Sequence, residues 1–258
     1  MSLVSTDWVE KNINNIKIID CSWHMPNVKR DGYKEYLEEH IENAIFFDLD
    51  KNSDQITDLP HMLTSSNKWE KIVSKMGIVK DDKIVIYDNS DVLSSCRCWY
   101  NFIYFGHNDK LVHVLNGGLK KWKSENKPTT NIISKVNTTK YIAAERKNLV
   151  KNKTQINENI NSDNFKVIDG RSKERFEGKV TEPRKGLRSG SIPKSMCIPF
   201  GNLINDDKTF KNKNEILNIF KNTLGEEITT NIVFSCGSGV TASVLALAYS
   251  LINNKYMP

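Results

Sequence analysis

Cys236 stands where an apolar, β-branched run (Asn231-Ile232-Val233-Phe234-Ser235) gives way to Gly237-Ser238-Gly239-Val240-Thr241-Ala242-Ser243. Small and apolar residues continue from Val244 to Leu251. The pattern predicts a strand, a tight loop and a helix, with the sulfur at the strand's end. Loop N–H groups and the positive end of the following helix would face the thiol and favour its thiolate, the nucleophilic form. Gly237 and Gly239 are expected to let the chain curl and bring a substrate against the backbone. The chemistry this setting suits is nucleophilic attack by sulfur with a covalent intermediate.

A second stretch could hold the substrate. Arg171-Ser172-Lys173-Glu174-Arg175-Phe176-Glu177-Gly178, followed by Glu182-Pro183-Arg184-Lys185-Gly186-Leu187-Arg188, is basic and rich in turn formers. It shows no helical or strand period and reads as a loop. Arginine's planar fork grips a carboxylate through two hydrogen bonds, which lysine cannot do.

The segment Cys236-Gly237-Ser238-Gly239-Val240-Thr241-Ala242 resembles the active-site loop of the two-domain rhodanese superfamily, in its 3-mercaptopyruvate sulfurtransferase branch. The resemblance runs from about Ile18 to Leu251. It implies a persulfide on Cys236 and substrate contacts from Arg175, Arg184, Gly237, Gly239, Val240 and Thr241. Phe46-Phe47-Asp48-Leu49-Asp50 and Leu59-Pro60-His61-Met62-Leu63 resemble two further family segments. There an aspartate and a histidine join the loop serine in a Ser-His-Asp-like relay, which gives Asp50, His61 and Ser238 here. An acid that fixes an imidazole tautomer, and an imidazole that polarises a hydroxyl, make chemical sense together. The family's proline after Met-Leu is Thr64 in this chain.

Three chemistries compete for the thiol. A Cys-x5-Arg phosphatase needs an arginine six residues after its cysteine, and that position is Ala242, so this reading fails. A thiosulfate-specific rhodanese would want cations inside the loop for its small dianion, whereas Gly237 and Ser238 are neutral. A pyruvate-like carboxylate held from outside by Arg175 and Arg184 fits better. A rhodanese-fold binding module without turnover is the alternative of a different class, and the intact cysteine and glycines argue against it. The expected reaction moves sulfur from 3-mercaptopyruvate to a thiol such as thioredoxin or a small dithiol, or to cyanide in an assay. It calls for no metal and no organic cofactor.

The elements that must position these groups alternate. Ile16 to Asp20, Ala44 to Phe47, Lys83 to Tyr87 and Val112 to Leu115 read as strands. Asp31 to His40, Trp69 to Met76, Cys96 to Phe105 and a stretch around Trp122 read as helices. Such alternation predicts an α/β fold with a mainly parallel sheet and helices on both faces. The plan then repeats at an offset of about 150 residues. Val167-Ile168-Asp169 answers Ile18-Ile19-Asp20, Ser191 to Ser195 answers His40 to Ala44, and Ile232 to Cys236 answers Ile84 to Asp88. The expectation is two tandem rhodanese-like domains: a non-catalytic one over 1–125, a polar linker over 126–157 and a catalytic one over 158–258. Asp88 replaces the sulfur in the first domain, which would then serve to shape a cleft. After its loop helix the second half ends at Asn253-Asn254-Lys255-Tyr256-Met257-Pro258, without the further strand and helix seen in the first half and in the family.

Composition narrows the rest. Apolar residues at 38% and charged residues at 26% suit a soluble globular chain. No apolar run is long enough to span a bilayer, and residues 1–10 lack a signal-peptide layout. Lysines spread among asparagines make the net charge of +6 a solvated surface rather than the clustered stripe a nucleic acid needs. Neither nucleic acid nor membrane is an expected partner. Five scattered cysteines (Cys21, Cys96, Cys98, Cys197, Cys236) form no disulfide or zinc framework and suit a reducing compartment. The expected location is the cytoplasm, with a longer mitochondrial form left open. Trp23, Trp99 and Trp122 are expected to be packing anchors.

Overall fold

The structure, a computed structural model, describes residues 2–184, 186–226 and 228–256; Lys185, Met257 and Pro258, quoted above, lie outside them. The chain divides into two compact units, Met1–Arg146 with Asp206–Thr209, and Lys147–Asn205 with Phe210–Pro258.

The first unit runs β1 (Leu3–Val4), α1 (Thr6–Asn12), β2 (Lys17–Asp20), α2 (Gly32–Glu38), β3 (Ala44–Phe46), α3 (Ser66–Lys75), β4 (Ile84–Tyr87), α4 (Ser95–Tyr104), β5 (Val112–Leu115) and α5 (Gly118–Ser124). Side-chain oxygens of Ser5, Asp31 and Ser65 cap α1, α2 and α3, which explains where those helices begin. The strands form one parallel sheet ordered β1-β5-β4-β2-β3. Central β4 is buried along its whole length, as a strand covered on both faces must be. Ile18, Val85 and Tyr87 pack on one side with Val9, Tyr36, Ile41, Leu119 and Trp122. Elsewhere Trp69 stacks on Phe105 at 4.6 Å and meets Phe102 edge-on at 5.0 Å. Removing the fully buried Trp69 ring would cost about 3–5 kcal/mol.

Two local expectations change. β1 is too short to show a period and exists because Leu3 and Val4 pair with Val114 and Leu115. Residues 126–146, expected as part of a linker, are bonded into the first unit. His40 and Thr130 exchange backbone hydrogen bonds at 2.8 Å, and the N–H groups of Thr139, Ala144 and Arg146 donate to Ser74, Phe105 and Tyr104.

The second unit runs α6 (Lys153–Ser162), β6 (Lys166–Asp169), α7 (Lys173–Phe176), β7 (Met196–Cys197), α8 (Lys213–Leu224), β8 (Ile232–Ser235) and α9 (Val240–Ile252). α6 starts inside the expected linker, where Asn152 and Gln155 form a reciprocal capping box. Among the described residues its parallel sheet has three strands, ordered β7-β6-β8. This matches β3-β2-β4 of the first unit, so the duplicated α/β plan is present in the backbone. The register agrees as well: Asp20 pairs with Tyr87 just before Asp88, and Asp169 pairs with Ser235 just before Cys236. The core of this unit joins Phe220, Phe234 and Tyr249, with Tyr256 packed on the last two at 5.9 and 5.1 Å. Almost every side chain of α9 from Val240 to Tyr249 is buried, which is why its sequence is apolar all round.

Candidate active site

β8 ends at Ser235 and α9 begins at Val240, so Cys236 opens a four-residue loop, Cys236 to Gly239, ahead of a helix N-terminus. The Gly239 N–H donates to the Cys236 sulfur at 3.1 Å. An N–H aimed at sulfur, with the helix dipole behind it, stabilises negative charge there. Cys236 is half-buried, whereas Cys21, Cys96 and Cys98 are fully buried. Burial pushes the Cys21 and Cys96 thiols well above the usual range and Cys197 up to about 11. Gly239 caps the helix at φ +82°, a left-handed conformation that favours glycine. Val240 is buried, Ser238 and Thr241 are half-buried, and the Thr241 carbonyl packs so close to Gly170 that a Cβ there would meet it at 3.3 Å.

Gly237 has another reason to be glycine. Its φ is not left-handed; a Cβ at 237 would lie 3.3 Å from Arg175 Nη2 and 4.0 Å from Arg184 Nη1. The expectation that Gly237 serves chain curvature meets no left-handed backbone here; a side chain at 237 would instead crowd the Arg175 guanidinium. Arg184 Nη1 donates to the Gly237 carbonyl at 2.8 Å. Arg175 comes from α7, a short helix capped by Ser172 in a stretch expected to be wholly loop.

Sequence reasoning gave no role to what lies behind Arg175. Glu182 accepts from Arg175 Nε at 3.1 Å and Nη2 at 2.5 Å, and from Arg171 Nη1 at 2.8 Å. The two guanidinium groups, Arg175 first, hold the Glu182 carboxyl below its usual range. Arg171 in turn is clamped by Asp169, through Nε at 2.9 Å and Nη2 at 2.6 Å, at the end of β6. The signal was present in Glu182-Pro183-Arg184, but nothing local says which arginine the acid meets.

Asp50 and His61 belong to the first unit, where the structure brings them together: His61 Nε2 lies 2.8 Å from Asp50 Oδ1. His61 is buried, holds a left-handed backbone at φ +55°, and donates or accepts nothing at Nδ1 among the described residues. Arg97 Nη2 donates to its carbonyl at 2.7 Å, which fixes that unusual backbone. Trp23, expected only to pack, donates its indole N–H to Asp50 Oδ2 at 2.9 Å and meets the His61 ring edge-on at 4.7 Å. At the counterpart of Cys236, the Asp88 carboxylate takes the N–H groups of Ser90 and Ser95 at 2.9 and 2.8 Å. Burial raises its pKa. The first unit's loop thus closes around its own acid and presents no sulfur.

A parallel α/β unit used twice, with one copy carrying a thiol that meets a backbone N–H and lies near arginines, suits a thiol-dependent transferase. Comparison with known proteins agrees. The rhodanese-like domain family matches residues 5–125. A mitochondrial thiosulfate/3-mercaptopyruvate sulfurtransferase of Arabidopsis thaliana is 36% identical, over 99% of this chain and 73% of its own length. The 3-mercaptopyruvate sulfurtransferase of Rattus norvegicus is 33% identical over 100% of this chain and 88% of its own. The crystal structure of SseA from Escherichia coli, described among 3-mercaptopyruvate sulfotransferases, superposes with a TM-score of 0.86 at 29% identity, over 98% of this chain and 94% of that one. The chain belongs to the two-domain rhodanese superfamily, in the branch of the 3-mercaptopyruvate sulfurtransferases.

Proposed function

We propose that this sulfurtransferase takes its sulfur from 3-mercaptopyruvate and passes it, as a persulfide on Cys236, to a thiol. The observation that supports it most directly is Cys236 beside Gly237, with the guanidinium groups of Arg175 and Arg184 both close to that glycine. The Cys236 thiolate attacks the substrate sulfur and a sulfur–sulfur bond forms. The sulfur–carbon bond breaks, its electron pair becomes the enolate of pyruvate, and a proton completes pyruvate. The Gly239 N–H stabilises sulfur charge before and after transfer. Arg175 and Arg184 hold the carboxylate and ketone, with Gly237, Gly239, Val240 and Thr241 lining the loop around them. Asp50 and His61, with Ser238, are proposed to manage the proton at the enolate. An acceptor thiolate, such as thioredoxin or a small dithiol, then takes the outer sulfur and frees Cys236. The proposed setting is a reducing one, the cytoplasm or the mitochondrion.

Side-by-side rates with 3-mercaptopyruvate and thiosulfate test the reading, with mass spectrometry of the Cys236 peptide for one added sulfur. Mercaptopyruvate should be the faster donor and should load Cys236; Cys236→Ser should abolish both transfer and loading. A faster rate with thiosulfate, or transfer that survives in Cys236→Ser, overturns it.

A further inference from the structure

We infer that Glu182 is a positioning residue that sets how Arg175 meets the substrate; this rests on the proposed reaction at Cys236. Glu182 takes the side-on face of the Arg175 guanidinium, through Nε and Nη2. That leaves the end-on edge, Nη1 with Nη2, on the side where Nη2 approaches Gly237. An end-on guanidinium presents two parallel N–H donors, the geometry that grips a carboxylate. The Glu182 side chain is only 3% exposed, so it cannot swing to water and release Arg175 without leaving its charge buried. Arg171 holds it from behind, and Asp169 anchors Arg171 to the end of β6. The chain of ion pairs runs from the end of the middle strand β6 to the loop of the nucleophile.

The same arrangement sets the charge beside the sulfur. Within this unit the network holds two acids, Asp169 and Glu182, against two arginines, Arg171 and Arg175, and so is neutral as a set. Arg184, bonded to the Gly237 carbonyl, adds a cation outside that set among the described residues. A positive charge there suits an anionic keto acid. Glu182 therefore does two separable things: its shape orients Arg175, and its charge offsets Arg175.

Two variants separate them. Glu182→Gln keeps the shape and removes the charge; Glu182→Asp keeps the charge and shortens the reach. Two readouts are needed. One is the KM and kcat for 3-mercaptopyruvate. The other is the ratio of Cys236 alkylation rates by anionic iodoacetate and neutral iodoacetamide, read on the Cys236 peptide. That ratio senses local charge and needs no sulfur donor. In Glu182→Gln the KM should rise by about 10-fold with kcat within about threefold, the cost of loosening a charged hydrogen-bond pair. Its iodoacetate preference should rise by roughly 3- to 10-fold, from one added charge near the sulfur. In Glu182→Asp the KM should rise while the alkylation ratio stays at the wild-type value.

Wild-type KM in either variant overturns the positioning role. An unchanged ratio in a folded Glu182→Gln overturns the charge role, and equal changes of ratio in both variants reduce Glu182 to a structural part. If Glu182→Gln does not fold, the KM of Glu182→Asp alone decides on positioning, and its charge-preserving ratio must match the wild type. A wild type that ignores mercaptopyruvate, while Glu182→Gln shows the shifted alkylation ratio, removes the proposed substrate and leaves the Glu182 clamp standing.

Discussion

Ser238 lies between two glycines that are glycine for different physical reasons. Gly239 needs a left-handed φ of +82°, and a Cβ there costs about 1–2 kcal/mol of strain. Gly237 has no left-handed φ but leaves space beside the Arg175 guanidinium. An argument from charge alone says that Gly237→Arg with Ser238→Lys should favour thiosulfate by adding cations. Steric crowding of Arg175 acts in the same direction, because it weakens the grip on a keto acid. The double variant should shift the thiosulfate-to-mercaptopyruvate ratio of kcat/KM by more than about 10-fold, and an unchanged ratio in paired assays would sink both arguments. Trp23 offers a subtler test. Trp23→Phe keeps a ring against His61 and removes the N–H that Asp50 accepts. One lost hydrogen bond to a charged group is worth about 1.5 kcal/mol, or roughly 10-fold in rate if it orients a proton carrier. Mercaptopyruvate turnover should fall by that order with an unaltered circular dichroism spectrum; wild-type turnover would leave Trp23 as packing alone.

Two equivalent strands end in aspartates with opposite surroundings. Asp169 closes β6 and binds Arg171, two residues on. Asp20 closes β2, and the residue two positions on is Ser22, which offers its N–H at 2.8 Å but no charge. Burial drives Asp20 up to about 6. A folded-state pKa above the unfolded one means the folded chain binds that proton more tightly. Its contribution is full below about pH 4 and is lost as pH rises through about 6. Asp20→Asn removes the titration. Relative to the wild type, the variant should gain roughly 2–3 kcal/mol in unfolding free energy between pH 4 and pH 7. Urea melts of both proteins at the two pH values measure this, and a constant difference would mean Asp20 carries no such shift. Glu182 runs the other way. Its lowered pKa gives stability that is present above about pH 4.3 and lost as pH falls through the folded value.

For the whole molecule, the informative boundary is where the first unit ends. Backbone hydrogen bonds from Thr130 to Arg146 tie that segment to His40, Ser74, Tyr104 and Phe105, and the Tyr141 hydroxyl reaches His107. A fragment ending at Arg146 should therefore melt well above one ending at Glu125, by at least about 5 °C, since several buried hydrogen bonds and a buried tyrosine are at stake. Equal melting temperatures, read by calorimetry, would show that residues 126–146 act as a tether. The two units also divide the labour in chemical terms: one carries a thiol at the loop after its central strand, the other a buried carboxylate satisfied by its own backbone.

By itself, the amino-acid sequence determined the duplicated α/β plan, the placing of Cys236 at the end of a strand, and the glycine that caps α9. These follow from periodicity, β-branching and backbone sterics, which act over a few residues. It also placed Arg175 and Arg184 in a segment suited to binding anions. Only the tertiary structure decided that Glu182 meets Arg175 rather than water, and that a side chain at Gly237 would crowd the Arg175 guanidinium. It likewise decided that Trp23 serves Asp50, that Leu3 and Val4 complete a sheet, and that a polar stretch after Pro128 belongs to a folded unit. Each of these depends on a partner distant in sequence or on which face of a turn points inward. A pairing of that kind has no local period to betray it, because its energy exists only once the chain has brought the two groups together.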